Sequence, residues 1–427
     1  MSMSVDRLLL MAVLASFVVS RWRAGGFHSR LNAVDVVTLS FLGVVCVSTF
    51  MNDWHAVRPG IPPIVPRLIN GFIIPCMLYA MGRYTNPDER SYRWFYFAFA
   101  GFGVYLAVTA FCEIAGAWSY VFPRYISDSS LGIHFGRARG PFLQSVRLGI
   151  YLTAGLAAVW VPLIWQRNRG RPGLLLGLVF SCLIIAAHYV TYTRSVWLGL
   201  AIGTLVVILF TFELKWKRVC LVGVAFALLV AAPMLSGSLV EFKREYSAVE
   251  TRQSTEMRSV FAVVSWEMFK DQPLTGHGFG QFPIKNLPYL NDRSYGFSLQ
   301  TIRGYIHHNT FLSILVELGL VGFVLYLWML AAWAYAARKV WRDDQQPEWA
   351  RGFGLFFLVL WVTAATQGFF HEVSISPLEN GILFLAAGMT MALRNIQPQC
   401  SAIGRHPLES GYQTPTTGWM TGRGMAT

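Results

Sequence analysis

Charge is what this chain has least of. Only 13% of its 427 residues are charged and 54% are hydrophobic, where a soluble domain carries about a quarter charged residues. That shortage excludes an ordinary soluble fold and indicates an all-α, polytopic transmembrane helix bundle. The net charge of +13 therefore says nothing about nucleic acid and has to be read by location, because lysine and arginine collect in cytoplasmic loops. Cysteine chemistry is also missing. The six cysteines (Cys46, Cys76, Cys112, Cys182, Cys220, Cys400) stand singly with no C-x-x-C spacing, which excludes a zinc knuckle or redox pair and leaves them as small packing residues. No internal repeat of the transporter kind is present. The first apolar run, "LLLMAVLASFVVS", lacks a basic leader and a cleavage site and is expected to be retained.

What is abundant is apolar runs of membrane length. A crossing takes about 20 mostly apolar residues, and such runs fall near 8–20, 33–51, 68–82, 94–115, 145–165, 174–191, 195–213, 219–235, 310–337, 353–370 and 378–393, about 11 spans with the first one short. Basic residues cluster in alternate connections, at Arg21, Arg23 and Arg30, Arg83, Arg90 and Arg93, Arg167, Arg169 and Arg171, Lys215, Lys217 and Arg218, and Arg338, Lys339, Arg342 and Arg351. The positive-inside rule makes that side cytoplasmic. The expected domains are a membrane domain, 1–395, and a disordered Gly, Pro, Ser and Thr-rich cytoplasmic tail, 396–427. A long, partly helical external loop, 236–306, carries eight cations (Lys243, Arg244, Arg252, Arg258, Lys270, Lys285, Arg293, Arg303) across against the rule, which frees them for work outside.

Four external segments hold residues suited to chemistry. Arg194, in "TYTRSVWLGL", sits between two apolar runs and reads either as a helix-end anchor or as a functional cation at the membrane boundary. In "STEMRSVFAVVSWEMFKDQPLTGHGFGQF", Ser254 or Thr255 is suited to cap a helix with Val260, Val263, Val264 and Met268 on one face, Pro273 to stop it, and Arg258 to lie in its first turns. Arg258 is then a solvated cation or a ligand for an anion, and the glycines following offer backbone amides to a phosphate. "YIHHNTFLSILVELGLVG" places His307 and His308 just before a span, with Asn309 as its cap and Glu317 expected to pair inside the bundle. A neutral imidazole can serve as a general base. Two adjacent histidines also invite a metal reading, but neighbouring side chains diverge and no carboxylate stands nearby, so no metal or other cofactor is expected. Arg137, Arg139 and Arg147 mark another external entrance, and arginine is the side chain best shaped to hold a phosphate by two bonds.

Together these motifs resemble the bacterial O-antigen ligase family, which includes O-antigen polymerases and protein O-oligosaccharyltransferases. The resembling parts, "RGPFLQSVRLG", "TYTRSVWLGL", "MRSVFAVVSWEMFKDQPLTGHGFGQF" and "HHNTFLSILVELGLVG", follow in order over roughly 137–325. Gln144 and Ser145 stand where the family commonly has asparagine, and His277 occupies a variable position. The resemblance implies a metal-independent inverting glycosyltransferase of the bacterial inner membrane whose site faces the periplasm. Its donor would be a glycan on undecaprenyl diphosphate, and its acceptor a hydroxyl of lipid A core, another glycan or a protein. Carried over by motif, Arg194 and Arg258 would hold the diphosphate, with Arg139 and Arg147 at the same depth, and His308 would activate the acceptor. The alternative is a carrier or flippase for a lipid-linked or anionic saccharide. It needs polar groups near mid-membrane, whereas Asp35, Glu113 and His188 fall near span ends and are expected to be interfacial or internally paired.

Overall fold

A computed structural model describes residues 5–23, 25–26, 31–56, 61–165, 171–212 and 244–394. The expected span at 219–235, the start of the long loop and the expected tail lie outside the described residues. The elements are α1 (Val5–Arg23), α2 (Ala33–Phe50), α3 (Ile64–Arg83, with a π turn at Ile69–Ile73), α4 (Glu89–Ile114), α5 (Ser145–Trp165), α6 (Arg171–Tyr189), α7 (Arg194–Thr211), α8 (Arg244–Asp271), α9 (Thr310–Arg342), α10 (Glu348–Phe370) and α11 (Pro377–Leu393). Among the described residues no sheet forms. Eight helices, α2 to α7 with α9 and α10, are long and apolar enough to cross a membrane, so the protein is a polytopic membrane helix bundle. Against the expected count of about 11, the described residues hold eight such helices: α1 is not among them, α11 has 17 residues, and the expected span at 219–235 lies outside the described residues.

Local chemistry sets the helix ends. Asn32 accepts from the amides of Val34 and Asp35 while Asp35 returns a bond to Asn32 N, a reciprocal cap that starts α2. Asp88 starts α4 through Ser91 N, and Pro377 opens α11 at a position where its missing N–H is no loss. Helix α10 packs against α9, α5 and α7 and buries Phe353, Phe356 and Phe357 completely, with Trp333 of α9 and Phe384 of α11 in the same core. Small residues bring α3 and α11 to backbone contact: a Cβ on Gly388 would stand 2.0 Å from Tyr79 O.

Three polar residues inside these helices are bonded within the protein. Asp35 accepts from Tyr79 Oη (2.6 Å) and pairs with Arg83 (3.3 Å). Glu113 accepts from the amides of Arg139 (3.0 Å) and Gly140 (2.6 Å), and His188 bonds Thr153 Oγ1 and Ile184 O. All three are internally paired, one of the two outcomes expected of them.

Helix α9 is broken. Gly319 has φ 63° and ψ −166° inside it, a backbone region open essentially to glycine alone. The break strips main-chain partners from groups on either side, and unpaired backbone is not tolerated against lipid. A turn from the segment after α8 supplies partners for four of them. Leu320 N and Val321 N donate to Pro273 O (2.7 Å) and Leu274 O (3.2 Å), while Val316 O and Glu317 O accept from His277 N (2.9 Å) and Gly278 N (2.8 Å). This inserted turn fixes the long loop to the bundle and so fixes what the loop carries.

Candidate active site

Helix α8 is built as the sequence suggests on one face and not at its start. Of the expected face Val260, Val264 and Met268 are buried and Val263 is half-buried; Phe261, not in the expected set, completes it, and they share a small core with Phe282, Leu290, Leu299, Ile302 and Val316 of α9. Pro273 follows the helix end at Asp271 as expected. Ser254 and Thr255, however, lie within the helix and do not cap it, and Arg258 falls near its middle. The stretch "REYSAVETRQST" contains no glycine or proline to interrupt a helix, and Ser or Thr permits a start without imposing one.

The glycine turn also differs from expectation. Gly276, Gly278 and Gly280 all take positive φ (67°, 103° and 77°), but the amides of the turn face no open anion site. The Glu317 carboxylate occupies that place, accepting from Gly280 N (2.8 Å) and Phe282 N (3.2 Å) with Arg67 beside it (3.9 Å). Glu317 thus pairs inside the bundle, as the sequence suggests, and fills a cradle that the sequence left open to phosphate.

The two adjacent histidines divide their roles by burial. His307 is buried between Phe261 (5.1 Å) and Phe282 (4.8 Å). Its Nδ1 accepts from Asn309 N (3.0 Å), so the proton of the neutral ring sits on Nε2, which faces Ser265 Oγ at 2.7 Å. Burial, then the charge of His308, pushes this ring down to about 3. Both nitrogens are committed to the protein and neither is available to a metal. His308 is exposed, with its ring 5.0 Å from Phe261. Asn309 caps α9 through Leu312 N (3.0 Å).

Arg258 stands three residues before Phe261, which puts the two on neighbouring positions of one helix face. Its guanidinium carbon is 5.7 Å from the centre of the Phe370 ring, the last residue of α10. The top of α9 is tied to the same place: Asn309 Nδ2 donates to Phe369 O (2.8 Å) and Thr310 Oγ1 to His371 O (3.0 Å). His371, the residue after α10, meets Ser195 Oγ at 3.0 Å, and Ser195 is the chain neighbour of Arg194. Arg194, Arg258 and His308 are all exposed, and each lies on or next to a residue that meets the end of α10. Burial and then the charge of Arg194 pull the Arg258 guanidinium below its usual range, and burial followed by the charges of Arg258, His308 and His134 brings His371 down to about 3. Among the described residues no carboxylate pairs with Arg194 or Arg258, whereas Arg67, Arg83 and Arg147 each have one. Two neighbouring cations with no carboxylate partner among the described residues have the chemistry that suits an anion.

Arg139 and Arg147 do not join them. The Arg139 side chain is buried (1% exposed), and its guanidinium donates to Leu131 O, Ile126 O and Asp128 O at 2.6, 3.0 and 3.4 Å, with the Phe135 ring 4.7 Å away. It fastens the 126–139 segment. Arg147 is bonded to Glu379 at 2.8 Å. What sequence reasoning missed is His371 with Ser195. The signal was a His–Glu pair in the short connection "HEVSISPLEN", the same kind of signal that drew attention to His308.

No curated protein matches the chain. Residues 178–327 match the family model described as O-antigen ligase, a range that includes Arg194, Arg258 and His308 and excludes Arg139, Arg147 and His371. With the helical membrane bundle, this match makes the chain, over residues 178–327, a carrier of the O-antigen ligase family domain.

Proposed function

We propose that this protein transfers a glycan from an undecaprenyl-diphosphate carrier to an acceptor hydroxyl at the periplasmic face of the bacterial inner membrane. The observation that carries the reading is the nearness of two guanidinium groups, with no carboxylate partner among the described residues, to an exposed imidazole at the end of α10. Arg194 and Arg258 hold the diphosphate and stabilise the charge that grows on it, an effect strongest where water is scarce. His308 takes the proton of the acceptor hydroxyl as its oxygen attacks the anomeric carbon from the face opposite the diphosphate. The new C–O bond forms as the bond to the diphosphate breaks, which inverts the anomeric centre. Positive charge comes from guanidinium groups in place of a metal ion. Lipid A core, a growing glycan and a protein side chain all present the required hydroxyl.

A flippase-type carrier is the other class. Its need for free polar groups within the membrane is poorly served, since Asp35, Glu113 and His188 are bonded internally. Proteoliposomes loaded with a lipid-linked glycan separate the two. A transferase releases undecaprenyl diphosphate and elongates or decorates the acceptor. Movement of intact donor between leaflets with no release would refute the transferase reading.

A further inference from the structure

Helix α7 begins at Arg194 without a side-chain cap, because the Thr193 hydroxyl bonds Thr191 O instead. Its first turn is held from outside. Gln367 and His371, four residues apart at the end of α10, grip Ser195 at two points: Gln367 Nε2 donates to Ser195 O (2.8 Å) and His371 Nε2 meets Ser195 Oγ (3.0 Å). His371 N also donates to Gln367 O (2.8 Å), which closes the clamp on α10. Helices α7 and α10 are close enough here that a Cβ on Gly199 would stand 2.8 Å from Gln367 Nε2. We propose that His371 is a positioning residue for the transfer: through Ser195 it fixes the first turn of α7, and with it the direction in which Arg194 faces Arg258 and His308.

The choice of side chain follows from the charge around it. Arg258 from α8, His308 from the start of α9 and His134 from the 131–139 segment all act on His371. A carboxylate in its place would neutralise the guanidinium pair and compete with a diphosphate, and a lysine would add a third like charge. A neutral imidazole holds Ser195 while leaving both arginines to the substrate. Residue 371 lies outside the matched range, so this support comes from a part of the chain that the family match does not cover.

The inference rests on the transferase reading. Its test is steady-state transfer by the full chain in proteoliposomes, with an undecaprenyl-diphosphate-linked glycan as donor, for wild type, His371→Ala, His371→Gln, Ser195→Ala and the Ala/Ala double variant. His371→Ala and Ser195→Ala are each expected to lower kcat/KM by up to about a hundredfold, the scale of a misplaced functional group. The double variant should fall no further than the worse single, because both remove one contact, and His371→Gln, which keeps a hydrogen-bonding end, should recover part of the loss. Losses that multiply in the double variant, or a fully active His371→Ala beside an active wild type, would overturn the inference alone. A wild-type chain that consumes no donor overturns the transferase reading and the inference with it.

Discussion

Replacing Gly319 by alanine tests how the long loop is fixed to the bundle. At φ 63° and ψ −166° an added Cβ would stand 2.4 Å from Leu274 C and O and 2.5 Å from Gly276 N. The dihedral alone costs an L-residue about 1–3 kcal/mol. The clash is with backbone, so no side chain can swing aside, and relief requires displacing the turn that pairs with Val316, Glu317, Leu320 and Val321. Each of those four bonds contributes roughly 0.5–1.5 kcal/mol net. A loss of about 3 kcal/mol or more follows, at least about a hundredfold in the folding equilibrium. The assay is thermal or denaturant unfolding in detergent, with Gly101→Ala as control. Gly101 lies in α4 with nothing within 4 Å of its would-be Cβ, so alanine there should gain up to about 1 kcal/mol from helix propensity. Opposite signs are expected. A Gly319→Ala protein that unfolds with the wild type would refute the inserted-turn reasoning.

Three further outcomes are expected. Arg139→Lys should lower the melting temperature, because one ammonium cannot replace a fork that reaches three carbonyls, and should leave the donor KM of the folded protein unchanged; a raised KM with unchanged melting would return Arg139 to the donor site. Arg258→Lys keeps the charge and loses the fork, so donor kcat/KM should drop while folding is unaffected, and unchanged donor use would reduce Arg258 to a solvated surface cation. For pH, His307 is held neutral with its pKa near 3, while an unfolded imidazole titrates near about 6.5. The unfolded chain therefore takes up the proton first as pH falls, so the stability from this group is complete above about 6.5 and drains away towards 3. Melting temperature should decline across that window, and less steeply in His307→Gln; equal slopes would mean that His307 does not set the acid limit.

Much of this architecture is readable from hydropathy and cap chemistry. The apolar runs become helices because membrane length and composition leave few other forms, and Asn309 caps α9 because its position before an apolar run is a local signal. The same local reading marks Arg194, Arg258 and His308 as candidates, while a helix-end anchor and a solvated cation stay open for the two arginines until the family resemblance gives all three a role. It fails where the cause is distant. Ser195 and His371 are 176 residues apart, and nothing in either neighbourhood announces the other. The glycine turn looks like a phosphate cradle until α9 breaks at Gly319 and brings Glu317 into it. Arg139 resembles its exposed neighbours in sequence, and only burial shows that its guanidinium is spent on carbonyls.

Glycan transfer by purified His308→Ala, compared with wild type after correct membrane insertion has been verified, bears most directly on whether one pocket holds both the diphosphate and the base. Loss of a positioned general base should slow the chemical step by about 10²–10⁴-fold while the donor still binds through Arg194 and Arg258. Transfer at the wild-type rate would contradict the assignment of His308 and, with it, the shared pocket.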